Sequence, residues 1–141
     1  MIHVIIPVFN RLDKTISCLN SLKKQTAIKN LSITVVNDLS TDGTEKYLLK
    51  NFPEVTILNG NGSLYWGGAI NYGIRNVLSK KKLGDWVLIL NNDVELSSKT
   101  ISKLIIEAES YKRKALLIPL TLSSIDKKTV IKSGTIVRSW F

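Results

Sequence analysis

A single cysteine, Cys18, stands in this sequence, so an intrachain disulfide cannot form. That suits a reducing compartment. No stretch approaches the roughly 20 apolar residues that a membrane-crossing helix needs. The opening MIHVIIPVFN has no basic segment ahead of its apolar run and meets Pro7 early, so it reads as a strand, not a secretion signal. The expected location is the cytoplasm. Two phosphate-cradling signatures are missing as well. No G-x4-G-K-[ST] occurs, and the glycine-rich stretch from Gly60 carries Tyr65 where a dinucleotide fingerprint needs its third glycine. The 20 Lys and Arg exceed the 11 Asp and Glu, for a net charge of +9. These cations are scattered and sit where helices should end, where the helix dipole favours them. They lack the aromatic interleaving of a single-strand nucleic-acid groove. A nucleic-acid partner is therefore not expected. A phosphorylated small substrate, or peripheral contact with an anionic membrane surface at the inner leaflet, remains open.

What the chain does have is alternation. Of its 141 residues, 44% are hydrophobic, enough for a core, and residues 1–141 read as one domain. Apolar runs at Ile2 to Val8, Ile33 to Val36, Val55 to Leu58, Trp86 to Leu90 and Leu116 to Leu120 are expected strands, the first, second and fourth of them buried. A further strand or hairpin is expected within 129–138. Between the strands, Leu12, Ile16, Leu19 and Leu22 form one helix face. Thr41 or Asp42 caps a second helix. Ile70, Ile74, Val77 and Leu78 mark a third, opening after Gly67 and Gly68. Ile101, Leu104, Ile105, Ala108 and Tyr111 mark a fourth. Strand–helix alternation implies right-handed crossovers and a mostly parallel, Rossmann-like, three-layer α/β/α sheet. In such sheets ligands bind beyond the carboxyl ends of the strands.

Those ends carry unusual polar residues. Asp93 closes the tract Asn91-Asn92-Asp93 after an apolar strand. A carboxylate there suits a hard divalent cation that shares its other positions with phosphate and water; the competing reading is a helix cap, although Ser97 and Ser98 lie closer to the next helix. Asp38 can accept a hydrogen bond from the imide N–H of uracil or thymine, or else form an Asx-turn in Asn37-Asp38-Leu39-Ser40. Gly67 and Gly68 let a ligand approach backbone at a helix start. Trp66 either stacks on a ring or fills the core. His3 reads as a satisfied core or edge histidine, and Cys18 as a packing residue.

Four tracts in order, VIIPVFNRLDKTISCLNSLKKQT, ITVVNDLSTDGTEKYL, NGNGSLYWGGAINYGI and DWVLILNNDVEL, resemble the family 2 glycosyltransferases of the GT-A fold. The third looks most like the bacterial rhamnosyltransferase-type members that build cell-surface polysaccharides. The resemblance implies an inverting transfer from a dTDP- or UDP-linked sugar to a saccharide or lipid-linked acceptor, with Mg²⁺ or Mn²⁺ as cofactor. It implies that Pro7, Val8 and Asn10 line the nucleotide and that Asp38 binds the base. By the same resemblance Gly67, Gly68 and Asn71 would hold ribose or diphosphate, and Asn92 and Asp93 would stand at the acidic metal motif with Asp93 the ligand. Asparagines 91 and 92 replace aspartates that many members carry. Members extend well past this length, and no tract around Glu95, Glu107, Glu109 or Asp126 matches their general base. The expectation is a fold incomplete at its C-terminus that binds donor. The runner-up is a nucleotide-binding module without chemistry.

Overall fold

The computed structural model describes residues 1–80, 85–111, 116–123 and 125–132. The chain divides into two compact units, Met1–Ser102 and Lys103–Phe141, where the sequence reading takes 1–141 as one domain. The first unit holds β1 (Ile2–Val8), α1 (Leu12–Lys23), β2 (Leu31–Asn37), α2 (Thr44–Asn51), β3 (Thr56–Asn59), α3 (Tyr65–Leu78) and β4 (Trp86–Ile89). Helix α4 (Thr100–Ser110) begins in it. The second unit holds the short antiparallel pair β5 (Thr121–Leu122) and β6 (Val130–Lys132).

The four-stranded sheet runs in the order β3-β2-β1-β4, and every pairing is parallel. The chain steps outward from β1 to β2 to β3, then returns past both to β4. With right-handed crossovers, α1 and α2 cover one face and α3 the other. The side chains agree. On the α3 face Ile5 and Val36 pack with Ala69 and Val77. Val4 and Ile6, one position to either side of Ile5, point to the opposite face and are fully buried, as are Leu22 of α1 and Leu48 of α2. Burying each such aliphatic side chain contributes about 2 kcal/mol. Gly73 belongs to this packing: a Cβ there would lie 2.5 Å from Ile5 Cγ2, so the helix approaches β1 only because that residue is glycine.

Several expectations need correction. Strand β4 is not buried: among the described residues it pairs with β1 alone, and Val87 and Ile89 are 39% and 43% exposed. Its apolar run resembles a central strand because one face is half-covered and the other face carries aliphatics too. The fifth strand is absent from 116–120, and pairing starts at Thr121. Pro119 has no N–H to give a ladder. The expected strand at 129–138 survives as Val130–Lys132, and 133–138 lie outside the described residues. On α1 the buried face is Thr15, Cys18, Leu19, Ser21 and Leu22, rotated from the Leu12–Ile16 stripe because Thr15 and Ser21 satisfy their hydroxyls within the fold. Helix α3 opens at Tyr65, so Gly67 and Gly68 lie inside its first turn instead of ahead of it.

Candidate functional site

The strand order creates a switch point. From β1 the chain leaves toward α1 on one face; into β4 it arrives from α3 on the other. In open α/β sheets the connections diverge beyond the carboxyl ends at such a point, and that is where a ligand crevice forms. Backbone strain collects there. Asn10 (φ 58°), Arg11 (63°), Leu39 (62°) and Tyr65 (52°) are all left-handed, and they follow β1, follow β2 and open α3. Asparagine adopts this conformation readily, whereas at Arg11, Leu39 and Tyr65 it costs about 1–2 kcal/mol relative to ordinary backbone.

Polar cross-links hold these loops in place. The Asn10 N–H donates to Ser40 Oγ at 2.8 Å, and Asn10 Oδ1 accepts from the Thr41 N–H at 2.8 Å. Asp42 accepts from the Leu12 N–H at 2.8 Å and from the Thr44 N–H at 3.1 Å, so one carboxylate serves the first turns of both α1 and α2. Burial nudges its pKa upward, but the bonds from Thr44 and Leu12 win and hold it below the ordinary value. Gly43, left-handed at φ 86°, occupies the cap position itself.

Asp38 is the centre of the arrangement. It is 5% exposed, and its carboxylate accepts the N–H groups of Gly62 (2.8 Å), Leu64 (2.9 Å) and Tyr65 (3.1 Å). The Gly-rich loop is thus folded around an anion supplied by the residue just beyond β2, and α3 is capped from 26 residues away by the Leu64 bond. A Cβ at Gly60 would lie 2.5 Å from Asp38 Oδ1, so this close approach requires glycine there. Because the cap comes from outside, α3 starts before its two glycines. The Trp66 and Gly67 N–H groups fall in the first turn, beyond the helix's own carbonyls. A Cβ at Gly67 would meet nothing within 4 Å, and at Gly68 only Leu64 at ordinary contact distance. Packing explains Gly60 and Gly73; it does not explain Gly67, which lies open to solvent.

On the β4 side, the asparagines are used internally. Asn92 is buried and its amide donates to Thr15 Oγ1 at 3.0 Å. Asn91 Oδ1 accepts from Trp66 Nε1–H at 2.8 Å. Trp66 is 59% exposed, which decides against the core-filling reading. Asp93 is directed outward and pairs with Arg11, Nη1 to Oδ2 at 3.3 Å. Arg11 had drawn no attention in the sequence; the signal was a basic residue immediately beyond a strand end. The Cys18 thiol donates to the Asn91 carbonyl at 3.6 Å. Burial, reinforced by the charges of Asp93 and Glu95, pushes its pKa up to about 12. The raised value favours the neutral thiol in the fold, so this contribution to stability is present below the ordinary thiol pKa and fades as pH climbs from there toward 12. At pH 8 the native protein should react with a chromogenic disulfide reagent at least a hundredfold slower than the chain in denaturant; equal rates would contradict the burial.

The expected site residues therefore divide. Asp38, Asn10, Gly67, Gly68 and Asp93 stand beyond the carboxyl ends of β1 to β4, in the connections or in the first turn of α3. Pro7 and Val8 are buried at the end of β1, and Asn71 is exposed on α3. Asn92 is directed into the fold toward Thr15. His3 is a satisfied histidine, 3.0 Å from Asp85. Among the described residues no three His, Cys, Asp or Glu side chains gather into a closed metal site, and no helix is long and apolar enough to cross a membrane. A cavity of about 310 Å³ lies elsewhere, lined by Ser17, Asn20, Lys24, Glu95 and Ser98 among others.

Comparison with known proteins settles the family. Residues 3–134 match the pattern of glycosyl transferase family 2. The chain belongs to that family. An uncharacterized glycosyltransferase of Mycoplasma genitalium is 33% identical over 110 residues, which span 72% of this chain and 35% of that protein. The N-acetylglucosaminyl-diphospho-decaprenol L-rhamnosyltransferase of Mycobacterium tuberculosis is 28% identical over 96 residues, 64% of this chain and 31% of its own length. This family 2 chain thus spans about a third of these curated relatives. Among solved structures, S. aureus TarS superposes with a TM-score of 0.67 at 19% identity, covering 86% of this chain and 23% of TarS. TarS 1-349 in complex with UDP-GlcNAc gives 0.68 at 23% identity, covering 79% and 32%. The fold is the α/β, GT-A-like arrangement expected of the family: a mostly parallel sheet flanked by helices.

Proposed function

We propose that this chain is the donor-binding part of an inverting glycosyltransferase. It takes a dTDP- or UDP-linked sugar and serves transfer to a saccharide or lipid-linked acceptor in cell-surface polysaccharide synthesis, at the cytoplasmic side of the membrane. The observation that carries this reading is the loop wrapped on Asp38, which opens α3 toward the crevice with Gly67 bare. Oδ1 of Asp38 accepts one backbone N–H and Oδ2 two. A carboxylate oxygen has two lone pairs, so Oδ1 keeps one for the imide N–H of a pyrimidine. Pro7, Val8 and Asn10 then flank the base, and the Trp66 and Gly67 N–H groups meet the diphosphate. The bacterial rhamnosyltransferase relative and the UDP-GlcNAc complex of TarS support the substrate class.

Asp93 fits a divalent cation. It is one exposed carboxylate at the lip of the crevice, and Mg²⁺ or Mn²⁺ commonly takes one or two carboxylates with phosphate oxygens and waters. Such a metal supplies charge neutralisation for the departing diphosphate. Calorimetry with UDP, dTDP and GDP, with and without Mn²⁺, tests the proposal. Saturable binding of the pyrimidine nucleotides, tighter with Mn²⁺ and weaker for GDP, is expected. No heat from either pyrimidine, or equal affinity for GDP, would sink it.

A further inference from the structure

Arg11 and Asp93 meet across the switch point, one just beyond β1 and the other just beyond β4. Both are well exposed, 62% and 42%. An ion pair this exposed contributes little to stability, certainly less than the strain of holding Arg11 left-handed at φ 63°. The pair therefore does not account for its own geometry. Its position does: Arg11 holds Asp93, and two residues before Asp93 the Asn91 side chain accepts from Trp66 in the first turn of α3, the helix start that is open to an anion. A guanidinium there has two successive partners available, a carboxylate now and a diphosphate when donor arrives, and its planar fork suits both.

We propose that Arg11 is an exchangeable counterion. It holds Asp93 while the crevice is empty, yields that carboxylate to a divalent cation, and moves to the diphosphate, so that metal and nucleotide bind cooperatively. The inference rests on Asp93 being the metal ligand. The energetics permit the exchange, because a weak exposed pair is displaced at small cost. The cooperativity follows from the change of partner. Nucleotide draws Arg11 away and frees Asp93, and by linkage the metal must favour nucleotide by the same factor.

Mn²⁺ binding, read from the electron paramagnetic resonance of the free aqua ion, tests this without any turnover. The variant is Arg11→Asn, since asparagine tolerates the left-handed backbone better than arginine, so the melting temperature should not fall. Without nucleotide, Arg11→Asn should bind Mn²⁺ about threefold to tenfold more tightly than wild type, because a competing pair and a nearby positive charge are both gone. The further tightening that UDP produces in wild type should shrink in the variant. Unchanged or weaker Mn²⁺ binding in Arg11→Asn, with the effect of UDP intact, would overturn the proposal alone. Asp93→Asn should lose Mn²⁺ binding; if it binds as wild type does, the metal assignment fails and the proposal falls with it.

Discussion

Asp38→Ala should be the most damaging single substitution in the crevice, lowering stability by about 3–5 kcal/mol. Three backbone N–H groups converge on this buried carboxylate. A hydrogen bond to a charged acceptor contributes about 1.5–3 kcal/mol, and N–H groups left unpaired in a half-buried loop incur a desolvation penalty. Some of the three will find water, so the sum of the individual bonds overstates the loss. Against a typical domain stability of about 5–15 kcal/mol this is a large fraction. Chemical denaturation measures it. Asp38→Asn should fall between, because one oxygen still accepts while the amide meets an N–H face to face. If Asp38→Ala melts like wild type, the loop is not built on this carboxylate. Nucleotide affinity should be lost in both variants, as the 60–65 loop no longer presents the start of α3.

Gly67→Ala should separate binding from folding. The added Cβ meets no protein atom within 4 Å. Alanine is favoured over glycine inside a helix by about 0.5–1 kcal/mol, so the variant should be slightly more stable than wild type. Yet that methyl group would occupy the space through which a diphosphate approaches the first-turn N–H groups. A tenfold or greater loss of UDP affinity is expected, read by calorimetry beside the melting curve. Gly73→Ala, whose Cβ would clash with Ile5, should instead lose stability. Stabilisation without loss of affinity in Gly67→Ala would mean that the nucleotide does not approach this turn.

These glycines also show what could be read from the sequence. The alternation of runs revealed the parallel sheet, because a strand buried on both faces is uniformly apolar and a helix is not. The strand ends then located the crevice. The start of α3 was misread, since its cap is a residue 26 positions away and no local pattern around Gly67 announces it. The asparagines of Asn91-Asn92-Asp93 were grouped with Asp93 because all three are polar at one strand end. Only packing reveals that Asn92 is directed to Thr15 and Asn91 to Trp66. Arg11 escaped notice for a similar reason. Its role depends on a left-handed backbone at Asn10 and Arg11 that brings it to Asp93, 82 residues on.

Donor should bind where β1 and β4 diverge, on the loop organised by Asp38. Amide chemical-shift mapping of the isotope-labelled protein with UDP and diamagnetic Mg²⁺ tests it directly. The largest shifts should fall at Asn10 and Arg11, from Gly62 to Gly68, and from Asn91 to Asp93. Shifts centred instead on the cavity lined by Ser17, Lys24 and Glu95, with the Asp38 loop unmoved, would contradict it.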